Sequence, residues 1–217
     1  MDEKFRPDSP NPKHRTLWDW VVHEVLHYQG IVGHAPLNGG PYSIMMDQHG
    51  ESKALLSWEA FMMGYFDENH IACLDPNTID EPIHLHLDSL DETGGAPGIK
   101  SIMIPVDEFE TVVIEYRTDG PFSTLSPEFQ GFTAYYINVD AERVRCDWCD
   151  PMLMEYRNFK RYLRNATETL VCDEGRVYGQ PVCDHLSITQ YPGFHLDFFG
   201  VRLEFYDDGY ITVRKLY

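Results

Sequence analysis

An α+β fold is predicted for this chain: a short helical, loop-rich front followed by an antiparallel, sandwich-like β-rich back. Three observations predict it. Before residue 67, apolar residues recur twice at helical spacing, as in Trp20, Val21 and Leu26 and again in Leu55, Trp58, Met62 and Tyr65. From residue 83 the period falls to two, with Ile83, Leu85 and Leu87 alternating with His84, His86 and Asp88. Between the two helical stretches lies a loop rich in breakers: Gly33, Pro36, Gly39, Gly40, Pro41 and Gly50.

The elements follow in order. Residues 1–15 carry Pro7, Pro10 and Pro12 and read as an irregular arm. A helix is expected from near Thr16, where Thr16 and Asp19 have capping-box spacing, to Gly30, a C-terminal cap. A second helix is expected over 51–66. Asp75-Pro76-Asn77 marks the junction, dividing the chain into 1–78 and 79–217. Runs of β-branched and aromatic residues predict strands over 101–106, 111–117 and 132–139. Residues 151–170 read as irregular to helical, with Tyr156, Phe159, Tyr162 and Leu163 as the apolar set. Near the end, Asp208-Gly209 is a hairpin signal between strands over 201–206 and 210–215.

Charge and composition exclude several classes of function. With 17 Lys+Arg against 35 Asp+Glu, the net charge is −18, which argues against a nucleic-acid-binding surface. The one basic concentration, from Arg143 to Arg164, is expected to pair with the acidic excess. A hydrophobic fraction of 43% with 13% aromatics excludes overall disorder. No apolar run approaches the roughly 20 residues of a membrane-spanning helix. The first residues are polar, so no signal peptide is visible. Five cysteines are present. Cys146, Cys149, Cys172 and Cys183 are open to disulfides or to a structural zinc, and an odd one is left over.

The sharpest motif is His23-Glu24-Val25-Leu26-His27, an HExxH within the first predicted helix. Residues i and i+4 share a helix face, so two imidazoles can grip one zinc ion. Zinc there makes a water acidic enough to attack a peptide carbonyl, and Glu24 beside it can take the proton. Gly30 extends the motif to HExxHxxG. Downstream, Tyr42-Ser43-Ile44-Met45-Met46 resembles a Met-turn, the methionine-bearing turn of metzincin-type zinc sites.

The likeness continues along the chain. Leu56-Ser57-Trp58-Glu59-Ala60-Phe61 and Met63-Gly64-Tyr65 are followed by Lys100-Ser101-Ile102-Met103-Ile104-Pro105 and Val112-Val113-Ile114-Glu115-Tyr116-Arg117. Their collinear order, with 131–140 and 200–213 after them, resembles the immune-inhibitor-A-like family of secreted zinc metallopeptidases. The resemblance spans about residues 17–217. It implies a zinc-helix and Met-turn subdomain before a β-rich domain, His23 and His27 as zinc ligands, Glu24 as general base and Met45 as the Met-turn residue. It also implies secretion, a protein or peptide substrate, and calcium as a further ion.

Two departures stand out. Position 33, where HExxHxxGxxH/D carries its third ligand, is Gly33; His34, one residue on, is the best substitute and Asp47 a poorer one. Only 22 residues precede His23, whereas such peptidases carry a sheet-containing half there. The expectation is therefore a truncated chain of a longer peptidase. The alternative is an inactive remnant serving as a β-rich binding module. Two lesser metal candidates read better as solvated surface: His84 with His86 on one strand face, and the acidic set Asp140, Asp147, Asp150, Asp207 and Asp208.

Overall fold

The computed structural model describes residues 17–29, 42–45, 53–108, 110–121, 123–127, 130–138, 166–168, 176–177, 180–181, 187–188, 195–198 and 200–216. The chain opens on helix α1 (Leu17–Gln29), then the 42–45 turn and helix α2 (Ser57–Met62). Strand β1 (Ile71–Cys73), a 3-10 turn at Pro76–Thr78, β2 (Ile83–His86) and helix α3 (Leu90–Thr93) follow. The sheet strands are β3 (Ser101–Pro105), β4 (Glu110–Arg117), β5 (Gly131–Asn138), β6 (Ala166–Glu168), β7 (Arg176–Val177), β8 (Gln180–Pro181) and β9 (Ser187–Ile188). The last are β10 (His195–Phe198), β11 (Val201–Phe205) and β12 (Tyr210–Lys215). Helices and antiparallel-rich sheets occur together, so the architecture is α+β.

One sheet has the order β1-β3-β4-β5-β6, with β9 also on β5; a second has the order β10-β11-β12-β2; β7 and β8 form a small pair. Pairing is antiparallel except between β1 and β3, where Ile71 lies opposite Ser101 in a parallel ladder. Alternation explains how the two larger sheets meet. Ile102, Ile104, Val112, Ile114 and Phe132 from one join Val201, Leu203, Phe205, Ile211 and Val213 from the other in a single core. Each such side chain contributes about 1.5–3 kcal/mol when fully buried.

The opposite face of the first sheet is also covered. Met103, Val113 and Tyr135 pack there against Tyr42, Leu56 and Trp58, with Met62 and Ile71 at the margin. That is why β4 is buried at four consecutive positions, Val112, Val113, Ile114 and Glu115, rather than at alternate ones. The face toward the helices carries Glu115 and Arg117, both fully buried. Residues on both sides of the 78/79 junction thus share a sheet, through β1 and β3, and a core.

Two expectations are corrected. The second helix is Ser57–Met62, not 51–66 as the apolar spacing suggested, and residues 53–56 are non-helical. The backbone groups that would start a longer helix bond elsewhere. The Ala54 carbonyl accepts from Ile44 N–H at 2.9 Å, Leu56 N–H donates to the Glu59 carboxylate at 2.8 Å, and Ser57 N–H donates to Glu115 at 2.7 Å. At the other end Gly64, with φ of 74°, turns the chain away. Second, Ala166–Glu168, within the stretch expected to be irregular to helical, is strand β6 paired with β5.

The β11–β12 hairpin forms where Asp208-Gly209 signalled it. Asp208 (φ 56°) and Gly209 (φ 80°) supply the left-handed backbone that the turn needs. Gly209 also lies against β2, because a Cβ there would meet the Leu87 carbonyl oxygen at 2.3 Å, and its own carbonyl accepts from Leu87 N–H at 2.8 Å. Gly209→Ala is therefore expected to cost about 2 kcal/mol or more, through clash with backbone that cannot withdraw and through unfavourable φ. A urea midpoint equal to wild type would refute this.

Trp58 is buried, and His84 and His86 lie on the exposed side of β2. His84 Nδ1 contacts Thr212 Oγ1 at 2.8 Å, and His86 Nδ1 pairs with Asp88 at 3.2 Å. Among the described residues, no helix is long and apolar enough to cross a membrane.

Candidate metal centre

The HExxH motif sits wholly within α1. Its face toward the protein carries His23, only 1% exposed, and Leu26. His27 is half-buried, and Glu24 is exposed at the next position round from His23. Leu26 packs with Ile44 and Met45, and Leu55 and Met63 border this small cluster. The helix is therefore seated on the 42–45 turn by apolar contact.

A polar contact sets the ring of His23. Its Nδ1 lies 2.7 Å from the Ile44 carbonyl oxygen. A carbonyl only accepts, so Nδ1 carries the hydrogen and the Nε2 lone pair of a neutral ring points the other way. His27 Nε2 lies 3.1 Å from His23 Nε2, with the two rings edge to face at 88°. His27 then donates through Nε2–H to the His23 Nε2 lone pair. Two imidazole nitrogens on one tetrahedral zinc, at about 2.0–2.1 Å each, stand about 3.3 Å apart. The separation of the two Nε2 atoms matches that of two imidazole ligands on one zinc, and the Ile44 carbonyl stands where the outer partner of such an imidazole would.

The remaining sequence candidates divide as follows. Met45 is fully buried in the turn that supplies this carbonyl. Gly30, Gly33, His34, Met46 and Asp47 lie outside the described residues, as do Cys146, Cys149, Cys172, Cys183, Asp140, Asp147 and Asp150. Cys73 is exposed and free. Among the described residues, no group of three or more His, Cys, Asp or Glu is gathered for a metal. His23 and His27 form a pair, with no third such residue gathered to them among the described residues.

Sequence reasoning missed what holds the turn. Met45 N–H donates to Ser43 Oγ at 3.0 Å, and Ser43 O–H donates to Glu59 Oε2 at 2.6 Å. The same carboxylate oxygen accepts from Leu56 N–H. Leu56 has no side-chain acceptor, so only the returning half of a capping box forms at α2. Burial pushes the Glu59 carboxyl up to about 7, against the lowering effect of those hydrogen bonds. Beyond Glu59 lies a buried ionic group. Arg117 binds Asp91 through Nε at 2.7 Å and Nη2 at 2.9 Å, and Glu115 through Nη1 at 2.8 Å. Glu115 also accepts from Tyr135 O–H at 3.0 Å, and Tyr135 takes Trp58 N–H at 3.1 Å. Burial and then the neighbouring Glu115 hold the Tyr135 phenol well above its usual value. The one sequence signal for all this was a lone acid in the apolar run Leu56-Ser57-Trp58-Glu59-Ala60-Phe61.

Comparison with protein-family models, with curated proteins and with solved structures finds no match for this chain.

Proposed function

We propose that the chain is a zinc-dependent metalloendopeptidase-like protein of the immune-inhibitor-A-like kind, acting on protein or peptide substrates outside the cell. His23, His27 and His34 are its zinc ligands and Glu24 its general base. The observation that carries this reading is the approach of His23 Nε2 and His27 Nε2 to 3.1 Å, with His23 Nδ1 fixed on the Ile44 carbonyl. Bound zinc supplies the Lewis acidity that activates water toward a peptide carbonyl. Glu24 stands exposed beside His23, free of the buried network, as a group that takes a proton from water and hands it to the leaving amine. The 42–45 turn, through the Ile44 carbonyl on Nδ1, keeps the His23 Nε2 lone pair on the side of His27 Nε2. Calcium as a further ion belongs to the same family reading.

Zinc content of the purified chain tests this. Wild type is expected to hold one zinc, His23→Ala to lose affinity by at least 100-fold, and His34→Ala to weaken it clearly. Glu24→Gln should keep zinc and lose chelator-sensitive cleavage of an unfolded casein-like substrate. Zinc well below one equivalent, unchanged by His23→Ala, refutes the reading. A second reading is favoured by Gly33 at the usual third-ligand position: an inactive remnant whose β-rich part serves as a binding module. Cleavage of the casein-like substrate by wild type rules that out.

A further inference from the structure

We propose that Glu59 is a positioning residue for the candidate metal centre, acting through Ser43 on the turn whose Ile44 carbonyl orients His23. This rests on the metal-centre reading and adds to it a residue remote from any ligand. The chain of contacts is short and buried throughout. Glu59 is 1% exposed and fixed at the first turn of α2. Its Oε2 accepts at once from Ser43 O–H at 2.6 Å and Leu56 N–H at 2.8 Å. The Ser43 oxygen in turn accepts from Met45 N–H at 3.0 Å. Those bonds bracket Ile44 on both sides, and Ile44 N–H is held by the Ala54 carbonyl at 2.9 Å. The Ile44 carbonyl is thereby aimed at His23 Nδ1, 2.7 Å away.

Degrees of freedom make this a positioning role. A carbonyl in a short turn orients an imidazole only if the turn has one conformation. Ser43 is the only side-chain oxygen acceptor that Met45 N–H uses among the described residues, and Ser43 donates its one proton to Glu59. Removing the Ser43 hydroxyl cuts Glu59 from the turn and releases Met45 N–H together. The turn then loses two of the bonds that set the direction of the Ile44 carbonyl. Outer partners of this kind typically carry a 10–100-fold effect on metal affinity.

The test uses the full chain and two readouts. The first is the tautomer of His23 in the metal-free protein, read from imidazole 15N shifts. The second is zinc affinity by competition with a chromophoric chelator. Wild type is expected to give the Nδ1–H tautomer at His23, and Glu59→Leu, which can accept from neither Ser43 nor Leu56, to give mixed tautomers and zinc binding about tenfold weaker, while Glu59→Gln, whose amide oxygen still accepts from both, restores the wild-type tautomer. Ser43→Ala is expected to give mixed tautomers and zinc binding about tenfold weaker. Glu59→Leu combined with Ser43→Ala should be no worse for the His23 tautomer than Ser43→Ala alone, because the two residues act in series. An unchanged His23 tautomer in a folded Ser43→Ala or in a folded Glu59→Leu overturns the proposal, whatever zinc does. If wild type takes up no zinc, the zinc-peptidase reading fails, and the tautomer alone still decides whether Glu59 and Ser43 position His23.

Discussion

Arg117→Met is expected to destabilise the protein by about 3–5 kcal/mol at neutral pH. Arg117, Asp91 and Glu115 are all fully buried. Burial opposes the guanidinium charge, but Asp91 and then Glu115 outweigh it and hold Arg117 above its ordinary value. Removing that one cation leaves two buried carboxylates that share no other positive partner among the described residues. Asp91 would keep Thr118 N–H at 3.3 Å and the Ser123 hydroxyl, and Glu115 would keep Ser57 N–H and Tyr135 O–H. Those neutral donors do not replace a bidentate ion pair. Arg117→Lys should recover only part of the loss, because an ammonium cannot span both Asp91 oxygens and Glu115 as the guanidinium does. Urea unfolding at pH 7 measures both variants. A loss below about 1 kcal/mol for the methionine variant would show that the network is dispensable.

Glu59→Gln is expected to act in the opposite direction, and only at high pH. The carboxyl titrates at about 7 in the folded protein against 4.5 as its ordinary value. Burial is the main cause; Glu115 adds to it, while Ser43, Leu56 N–H and Arg117 oppose it. The Tyr135 phenol, also facing this group, feels the Glu59 charge in turn. Between pH 4.5 and about 7 the folded state therefore holds the proton more tightly than the unfolded chain. Wild-type stability from this group is greatest below 4.5, falls as pH rises through that window, and is level above it. The full span is roughly 3 kcal/mol at about 1.4 kcal/mol per pH unit. Glutamine mimics the protonated acid and does not titrate. Variant and wild type should be close at pH 4.5, and the variant should gain on wild type by up to roughly that amount by pH 8. The comparison is a pair of urea curves at each pH. A stability difference that stays constant from pH 4.5 to 8 would contradict the assignment.

The β half of the fold was legible in the sequence because its strands obey a local rule. Ile83 and Leu85, Val201 to Phe205, and Ile211 and Val213 alternate, and Asp208-Gly209 marks its own turn. The second helix was overextended because its apolar spacing satisfies a helix while its backbone does not. Ser57 N–H is claimed by Glu115, 58 positions away, and nothing local signals such a partner. Ala166–Glu168 pairs with β5 for the same kind of reason: its partner is distant in sequence. At the candidate metal centre, the i and i+4 spacing of His23 and His27 is enough to bring the rings together. The carbonyl that aligns one of them is not legible in the same way. Backbone atoms have no letter in the sequence, and Ile44 gives no sign that its oxygen rather than its side chain matters. Glu115 and Arg117 were legible as part of a strand, but the pairing of Arg117 with Asp91 depends on α3, which lies far from β4 in sequence and beside it in the fold.

The small cluster of Leu26, Ile44 and Met45 beneath α1 is distinct from the core between the two large sheets. This predicts two tiers of amide exchange. Amides of α1 should exchange through a local opening that leaves β4 intact, and β4 should exchange only when the whole fold opens. An ion gripped by His23 and His27 would raise the cost of the local opening alone, by about 2.7 kcal/mol at a free concentration 100 times its dissociation constant. Metal occupancy would then be written as slowed exchange in one helix, with the sheets as an internal clock that does not change.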